Sequence, residues 1–274
     1  MTRNEIFLII RDIAKNALSE AEIALFVAAM YQQGMRMNET ISMIEAMIKF
    51  GNKFSVKGKY IVDKHSIGGV AGNRTTPIVV SICAADGLVF PKTSSRAITS
   101  AAGTTDVLET IMKVEFTPNE LKKILKKTKA FMVWGGSLDM VPVDSKIIKV
   151  EKELNIDPKS QLVASIMSKK FAVGSKYILI DIPYGKSVKV DKEKAESLKR
   201  EFLRLGKHFH KKIPKFFKGQ PLRIGMLSFL MLMMTLQIIK RWPNPHSIGM
   251  FFVMLLATTT ILGIILALIF HQRT

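Results

Sequence analysis

Residues 60–74 read Tyr-Ile-Val-Asp-Lys-His-Ser-Ile-Gly-Gly-Val-Ala-Gly-Asn-Arg. The first four residues are typical of a buried strand, and a helix is predicted after the glycines, from Thr75 to Ala85. A glycine-rich turn between a strand and a helix points free backbone N–H groups towards an anion. The stretch therefore predicts a βα unit with a phosphate site. The alternative is a glycine-rich turn that only connects the strand to the helix and binds no ligand, because the spacing matches neither a Walker loop nor a dinucleotide fingerprint.

A second unit of this kind follows along the chain. Leu88-Val89-Phe90 is a predicted strand, and residues 92–106 after it contain seven hydroxyl groups and one arginine. Such groups donate hydrogen bonds to phosphate and sugar oxygens, although a single Ser or Thr is more often a helix cap. Strands at 131–134 and 177–182 and helices at 159–172 and 191–205 continue the alternation. It predicts a parallel α/β sheet, which binds ligands at the carboxyl ends of its strands.

The regions on either side of these units differ in composition. Apolar residues at helical spacing predict a helical subdomain at 1–55, joined by about 150–172, beside an α/β phosphate- and nucleotide-binding domain at 56–208. Residues 209–274 carry eight basic side chains and no acidic one, and include apolar stretches at 224–239 and 248–270. Two interpretations of this apolar helical tail stay open: transmembrane segments, or a frameshift product translated out of frame.

The composition of the whole chain limits which classes of function the protein can have. A net charge of +19 suits a nucleic-acid binder, but the basic residues of the body are dispersed and only 8% of residues are aromatic. We therefore expect no nucleic-acid partner. The single cysteine, Cys83, excludes a disulfide framework and a cysteine zinc site, and no metal site is visible. We expect a cytoplasmic location, with membrane association only if the tail is genuine.

Three runs, at residues 62–69, 92–104 and 156–170, together resemble the thymidine/AMP phosphorylase family of type II nucleoside phosphorylases. Residues 72–76 and 95–100 are most similar to its archaeal AMP phosphorylase branch. The resemblance covers about residues 3–206 and implies a helical subdomain plus a parallel α/β phosphorylase domain. Compared with whole family members, the chain is expected to be truncated at both ends, with an incomplete α/β domain and weak turnover.

The resemblance implies an enzyme, a pentosyltransferase. It would cleave a nucleoside 5′-monophosphate such as AMP with inorganic phosphate, giving the free base and ribose 1,5-bisphosphate, without a cofactor. Pyrimidine enzymes of the family hold the base with an arginine at the position of Val150, so valine disfavours a thymidine-type substrate. Thymidine phosphorolysis and a membrane-tethered nucleotide-binding module without turnover remain the alternatives. The family also implies a homo-oligomer formed through the helical domain.

The resemblance assigns roles to individual residues. Asp157 would donate the proton to the leaving base. Four side chains would cradle the attacking phosphate: Lys64, Ser66, Ser94 and Thr104. The nucleotide would contact His65, Gly69, Ser95, Arg96, Ala97, Ile98, Thr99, Ser100, Thr104, Ser165, Lys169 and Lys189.

Simpler interpretations of two of these assignments come from the residues alone. Asp157-Pro158 is also a good helix start, and Ser165 with Lys169, one turn apart, is also typical of a solvated helix face. A free aspartate is ionised at neutral pH. Donation by Asp157 therefore requires burial, or the phosphate of the substrate, to keep it protonated.

Overall fold

The computed structural model describes residues 1–52, 54–68, 75–98, 103–138, 140–185, 188–211 and 213. In chain order the described helices are α1 (Arg3–Ala14), α2 (Glu20–Gln33), α3 (Met37–Lys49), α4 (Thr75–Ala85), α5 (Thr104–Glu109), α6 (Pro118–Thr128), α7 (Pro142–Leu154), α8 (Lys159–Ala172) and α9 (Lys192–His208). The strands are β1 (Val62–Ser66), β2 (Phe90–Ser94), β3 (Ala130–Trp134) and β4 (Tyr177–Asp181). Strands and helices alternate from β1 onward, as the sequence predicts.

The amino-terminal helices begin at capping boxes. The hydroxyls of Thr2 and Ser19 accept hydrogen bonds from the backbone N–H groups of Glu5 and Glu22, and each glutamate returns a contact to the cap. A cap of this kind is worth about 1 kcal/mol to a helix. Helices α1 and α3 pack together, α8 packs on α3, and α7 packs on α2. These helices form one bundle, and α7 and α8, which lie between β3 and β4 in the chain, belong to it.

One hydrophobic core runs through the bundle and under the strands. Its members share nearly complete burial, and they include Ile6, Ile10, Met43, Met47, Ile147, Val163, Val133 and Ile178. Full burial of such a side chain contributes roughly 1.5–3 kcal/mol. The continuous core fixes α7 and α8 against the sheet, and this matters because both helices carry site residues.

The strand pairs within the described residues are parallel. β1 pairs with β4 and β2 pairs with β3, and a parallel bridge between Ile61 and Val89 joins the two pairs. The order in space is therefore β4-β1-β2-β3. Counted from these registers, the strands end at the same level, at Asp181, Ser66, Ser94 and Trp134. This common edge is where the sequence predicts the site.

Two strands extend further than the sequence predicts. β1 continues through Lys64, His65 and Ser66, and β2 continues through Lys92 to Ser94, which the sequence assigns to a loop. Charged residues rarely occupy a buried strand, so an apolar sequence pattern does not predict that these residues belong to β1 and β2. They are tolerated here because their charges and hydroxyl groups have partners inside the protein, described below.

The predicted apolar helical tail, including the stretches at 224–239 and 248–270, lies outside the described residues. Within the part of the chain that is described, no helix is both long and apolar enough to cross a membrane.

Candidate active site

Buried charges collect at the carboxyl ends of β1, β2 and β4. We call these residues the strand-end cluster: Lys64, Lys92, Lys170, Asp63 and Asp181. Each has a relative exposure of 2% or less. Among the described residues of this cluster, three ammonium groups therefore stand against two carboxylates.

Two of the three ammonium groups are paired with carboxylates. The Nζ of Lys64 lies 3.0 Å from Oδ2 of Asp181, and the Nζ of Lys170 lies 2.8 Å from Oδ2 of Asp63. The third, Lys92, donates to the backbone carbonyl of Thr93 at 2.6 Å, and Lys170 also donates to this carbonyl, at 3.3 Å. Lys92 is therefore the cation of the cluster that has no carboxylate within the described ion pairs.

The excess positive charge changes the titration of its neighbours. Burial, and then the ammonium of Lys170, hold the pKa of Lys92 well below its ordinary value. Burial also lowers the pKa of Lys170, against the opposing effect of Asp63. Burial of the imidazole and the charges of Lys92 and Lys170 hold the pKa of His65 well below 6.5, so His65 is neutral at neutral pH. An anion bound here would relieve this repulsion.

Of the predicted phosphate ligands, Lys64 belongs to this cluster, and Ser66 and Ser94 end the strands β1 and β2 that carry it. Ser66 ends β1, and its hydroxyl accepts from the N–H of Gly68 at 3.3 Å. The hydroxyl of Ser94 already contacts that of Thr105 at 2.9 Å and the carbonyl of Val133 at 3.3 Å. Thr104 is the first residue of α5. Lys64 is paired with Asp181 and also donates to the hydroxyl of Thr75 at 3.2 Å, so Lys64 and Ser94 both already have partners in this structure.

A cavity of about 180 Å³ lies beside the loop that follows β2. Its wall includes the predicted nucleotide contacts Ser95, Arg96, Ala97 and Lys169, and also Ser94. The opposite wall comes from α7, which contributes Asp144, Ser145, Ile148, Lys149 and Lys152. The cavity therefore lies between the helical bundle and the sheet, next to the strand ends.

Lys169 connects the two walls of the cavity. Its Nζ lies 2.7 Å from Oδ2 of Asp144, and it donates to the hydroxyls of Ser95 at 2.6 Å and Ser165 at 2.8 Å. An ammonium group has three N–H donors, so these partners use all of them. The interpretation of Ser165 and Lys169 as a solvated helix face is wrong, because both side chains are buried.

Arg96 is held at the rim of the cavity. Its guanidinium stacks over Trp134 at 4.9 Å and pairs with Glu109 and Asp106, with Nη2 of Arg96 lying 2.9 Å from Oε1 of Glu109. Asp106 also accepts from the backbone N–H groups of Ala97 and Gly103, at 2.9 and 2.8 Å. Arg96 and Asp106 therefore shape the loop whose hydroxyls face the cavity.

A second group of charges, some fully buried and some half-buried, lies around α7. We call these residues the α7 cluster: Asp144, Glu151, Asp157, Lys169 and Lys189. Lys189 pairs with Asp157, and Lys169 pairs with Asp144. Glu151 has no exposed surface, and neither of its carboxyl oxygens has a hydrogen-bond partner among the described residues. In this cluster three carboxyl groups stand against two ammonium groups, the reverse of the strand ends.

Glu151 is neutral at physiological pH. Burial, and then the negative charges of Asp157 and Asp144, raise the pKa of Glu151 to about 9, while Lys189 and Lys169 oppose the shift. The sequence gives no sign of this, because the run Lys149-Val150-Glu151-Lys152-Glu153 is typical of a solvated helix face. Only the packing of α7 against the bundle buries the glutamate.

The structure thus brings the predicted residues together in two places. Lys64, His65 and Ser66 lie at the strand ends, while Asp157 and Lys189 form a pair near α7. Ser95, Arg96, Ala97, Ser165 and Lys169 lie at or beside the cavity, and Ile98 follows them in the same loop. Gly69, Thr99 and Ser100 lie outside the described residues. Sequence reasoning missed five participants: Asp63, Lys92, Asp144, Glu151 and Asp181.

Two domain descriptions match this chain. Residues 1–51 match the helical bundle domain of a glycosyl transferase family, and residues 58–199 match the a/b domain of the same family. The structure is also similar to anthranilate phosphoribosyltransferase from Thermus thermophilus, with a TM-score of 0.60 over 75% of this chain and 60% of that one. At 18% identity this likeness shows the fold alone.

The curated relatives are more similar in sequence. AMP phosphorylases from Pyrococcus furiosus and Thermococcus kodakarensis are 48% and 49% identical to the chain over 221 residues. The match covers 80% of this chain and 44% of each relative, so the chain spans less than half the length of the relatives it matches. These matches confirm the resemblance that residues 62–69, 92–104 and 156–170 indicate.

Proposed function

The chain belongs to the glycosyl transferase family with helical bundle and α/β domains, and from this we propose that it catalyses phosphorolysis of AMP. The products would be adenine and ribose 1,5-bisphosphate, and inorganic phosphate would be the second substrate, without a cofactor. The observation that carries the proposal is that one fold holds a buried cationic cluster at the strand ends and an acidic cluster around α7, of which Asp144 and Lys169 line the cavity. Phosphorolysis needs an anion site for its nucleophile and a proton for its leaving group.

The strand-end cluster supports the phosphate half of the reaction. A phosphate anion would meet the hydroxyl of Ser66 and the excess cation of Lys92, with Lys64 beside it. Buried ammonium groups interact strongly with an anion because water screens them poorly. The neutral His65, whose buried Nδ1 has no hydrogen-bond partner among the described residues, is suited to a hydrogen bond with the phosphate or the sugar.

The α7 cluster supports the leaving-group half. As the bond between C1′ and the base nitrogen breaks, its electron pair goes to the base, and Asp157 would protonate that nitrogen. A phosphate oxygen forms the new bond to C1′. Lys189, the partner of Asp157 in this structure, would turn to the 5′-phosphate of the nucleotide; the resemblance makes Lys189 one of the nucleotide contacts.

The base would occupy the cavity beside Lys169. Val150, at the position where pyrimidine enzymes of the family carry arginine, is buried in the core and is not among the cavity-lining residues. Val150 therefore supplies no cation to the cavity at the position of the arginine clasp. This supports a purine nucleotide over thymidine.

Location and assembly are part of the same proposal. A cytoplasmic enzyme is supported by the buried free thiol of Cys83, which suits a reducing compartment. A homo-oligomer formed through the helical bundle is supported by apolar side chains on α1 and α2, where Leu8 is 48% and Leu25 is 73% exposed.

The test is a product assay on the full chain. AMP is incubated with and without inorganic phosphate, and adenine and the phosphorylated sugar are separated by chromatography. We expect adenine only when phosphate is present, and faster turnover of AMP than of adenosine or thymidine. Adenine release without phosphate, or no release from AMP, would reject the proposal.

Single-residue variants test the proton donor and the phosphate ligands separately. Asp157→Asn is expected to lower kcat by about 10²–10⁴-fold, the usual contribution of a general acid. Ser66→Ala is expected to raise the KM for phosphate more than that for AMP, and Lys64→Ala is expected to do the same if circular dichroism shows a folded protein. Lys122→Ala, on the exposed face of α6, is the matched control and should leave turnover unchanged.

A further inference from the structure

Asp144 lines the cavity but has no place in the reaction described so far. Its side chain is only 5% exposed, and its Oδ2 lies 2.7 Å from the Nζ of Lys169. Its other oxygen, Oδ1, accepts a hydrogen bond from the amide of Gln161 at 3.4 Å. Both partners belong to α8, so this helix fixes the carboxylate. Burial of a carboxylate costs free energy unless it is paired, and here the pair lies in the wall of the cavity.

The first effect of Asp144 is on the charge of the cavity. The side chain of Lys169 is 4% exposed, and it lines the cavity together with Asp144. Without the carboxylate, Lys169 would be a buried cation beside an open space. Such a cation attracts an anion strongly, because little water screens it. The ion pair therefore keeps the buried part of the cavity wall close to neutral.

The rest of the cavity wall adds no unbalanced buried charge among its described residues. Its other cations are paired or exposed to solvent: Arg96 with Glu109 and Asp106, Lys149 with Glu20, and Lys152 in solvent. The apolar part of the wall includes Trp134, Met140, Val141 and Ile148. A largely apolar wall with a few polar groups suits a flat, uncharged base better than a phosphate.

The second effect of Asp144 reaches the loop after β2 through Lys169. The ammonium group donates to the hydroxyl of Ser95 at 2.6 Å, and Ser95 also lines the cavity. A hydroxyl that accepts one hydrogen bond still has its own hydrogen to donate. Within the described hydrogen bonds, the hydroxyl of Ser95 donates to no other group. Its hydrogen is therefore available to an acceptor in the cavity, and the ring nitrogens of adenine are such acceptors.

We propose that Asp144 is a positioning residue that reserves the cavity for an uncharged base: it neutralises Lys169, and through Lys169 it holds the hydroxyl of Ser95 as a hydrogen-bond donor. This inference rests on the proposed function, because the site must then distinguish a base from inorganic phosphate. Phosphate binds at the strand ends, where cations exceed carboxylates. The base binds in the cavity, where the buried charges are balanced.

Competition by phosphate tests the electrostatic part. Asp144→Asn removes the charge and nearly keeps the shape, so inorganic phosphate should enter the cavity beside Lys169. High phosphate should then raise the apparent KM for AMP by about tenfold, the usual strength of a hydrogen bond to a charged group. We expect no such competition in the wild type or in Glu153→Gln, a control on the exposed part of α7. Adding Lys169→Met to Asp144→Asn should abolish the competition, a rescue that a merely structural role of Asp144 does not predict. Absence of competition in folded Asp144→Asn, or its persistence in the double variant, would overturn the inference.

Nucleotide analogues test the hydroxyl without changing any charge. The affinities of AMP and of analogues with N1, N3 or N7 replaced by C–H are measured by titration calorimetry without phosphate. At least one analogue should bind the wild type about tenfold more weakly than AMP and bind Ser95→Ala as tightly as AMP does. Equal affinity of the wild type for AMP and all three analogues would overturn the inference. This test also decides the case if Asp144→Asn does not fold.

The two proposals fail separately. If the full chain does not release adenine from AMP and phosphate, the proposed function is wrong. Titration calorimetry with inorganic phosphate alone still tests the role of Asp144, because Asp144→Asn should bind one more phosphate per chain than the wild type. Equal phosphate stoichiometry in the two folded proteins would overturn the inference even if adenine is released.

Discussion

The two buried clusters of this protein are opposites in charge balance. At the strand ends, cations exceed carboxylates by one, and the pKa of Lys92 is lowered. Around α7, carboxyl groups exceed cations by one, and the pKa of Glu151 is raised to about 9. Burial has the same effect in both places: it disfavours the charge that lacks a partner. The difference teaches that one site is prepared for an anion and the other for a proton.

The largest expected effect comes from breaking a pair at the strand ends. Asp63→Ala removes the carboxylate beside Lys170 and leaves a fully buried ammonium without it. Such a loss typically costs about 3–5 kcal/mol in the free energy of unfolding, measured here by urea denaturation. Replacing the whole pair, as Asp63→Leu with Lys170→Met, should recover most of the loss. A change below about 1 kcal/mol in the single variant would mean that the pair is hydrated and the cluster is not as dry as its burial indicates.

The second-largest expected effect comes from removing the ammonium group of Lys92. Lys92→Met removes the ammonium that has no carboxylate within the described ion pairs, so phosphate binding should weaken by about 30-fold, or about 2 kcal/mol. Titration calorimetry with inorganic phosphate measures this directly. Stability without phosphate should not fall, because the lowered pKa shows that the charge is unfavourable in the empty site. Lys122→Met on α6 is the control, and equal phosphate affinity in both variants would contradict the assignment.

The α7 cluster predicts a pH dependence with a definite sign. The pKa of Glu151 is about 9 in the folded protein and about 4.5 when unfolded, so the folded state binds more protons between these values. Its contribution to stability is full below pH 4.5 and is lost as pH rises towards 9. Between pH 5 and 8 the free energy of unfolding should fall by up to about 1.4 kcal/mol per pH unit from this group. Glu151→Gln should remove that slope, and an unchanged slope would mean that Glu151 is ionised.

Some of these features could be predicted from the sequence and others could not. The helix from Thr75 to Ala85 was predicted to the residue, since a glycine-rich turn bounds it on one side and Asp86-Gly87 on the other. The parallel sheet followed from the alternation of elements. The carboxyl ends of β1 and β2 were assigned to loops, because a strand that contains Lys64 or Lys92 has no apolar pattern to reveal it.

The partners in the site were harder to predict, since they depend on tertiary packing. Asp144 and Glu151 lie seven residues apart on α7, a helix that the sequence pattern did not predict, although the predicted helical subdomain includes its last residues. Asp144 pairs with Lys169, which is distant in sequence. The roles of Lys64 and Asp157 came from the family resemblance rather than from spacing, and they remain predictions. The charge balance of each cluster became visible only when the burial of every member was known.

The smallest expected effect comes from a third group of charges, which is exposed. Arg96 pairs with Glu109, and the two side chains are 36% and 46% exposed. Glu109→Gln should lower the free energy of unfolding by less than about 1 kcal/mol, and less still in high salt, because water and ions screen the pair. In this variant Arg96 keeps its ion pair with Asp106 and its stacking on the ring of Trp134. Urea denaturation at two salt concentrations measures both effects. If Glu109→Gln lowered the free energy of unfolding as much as Asp63→Ala, the exposed pair would stabilise the fold as strongly as the buried pair. Burial would then not explain the difference expected between them.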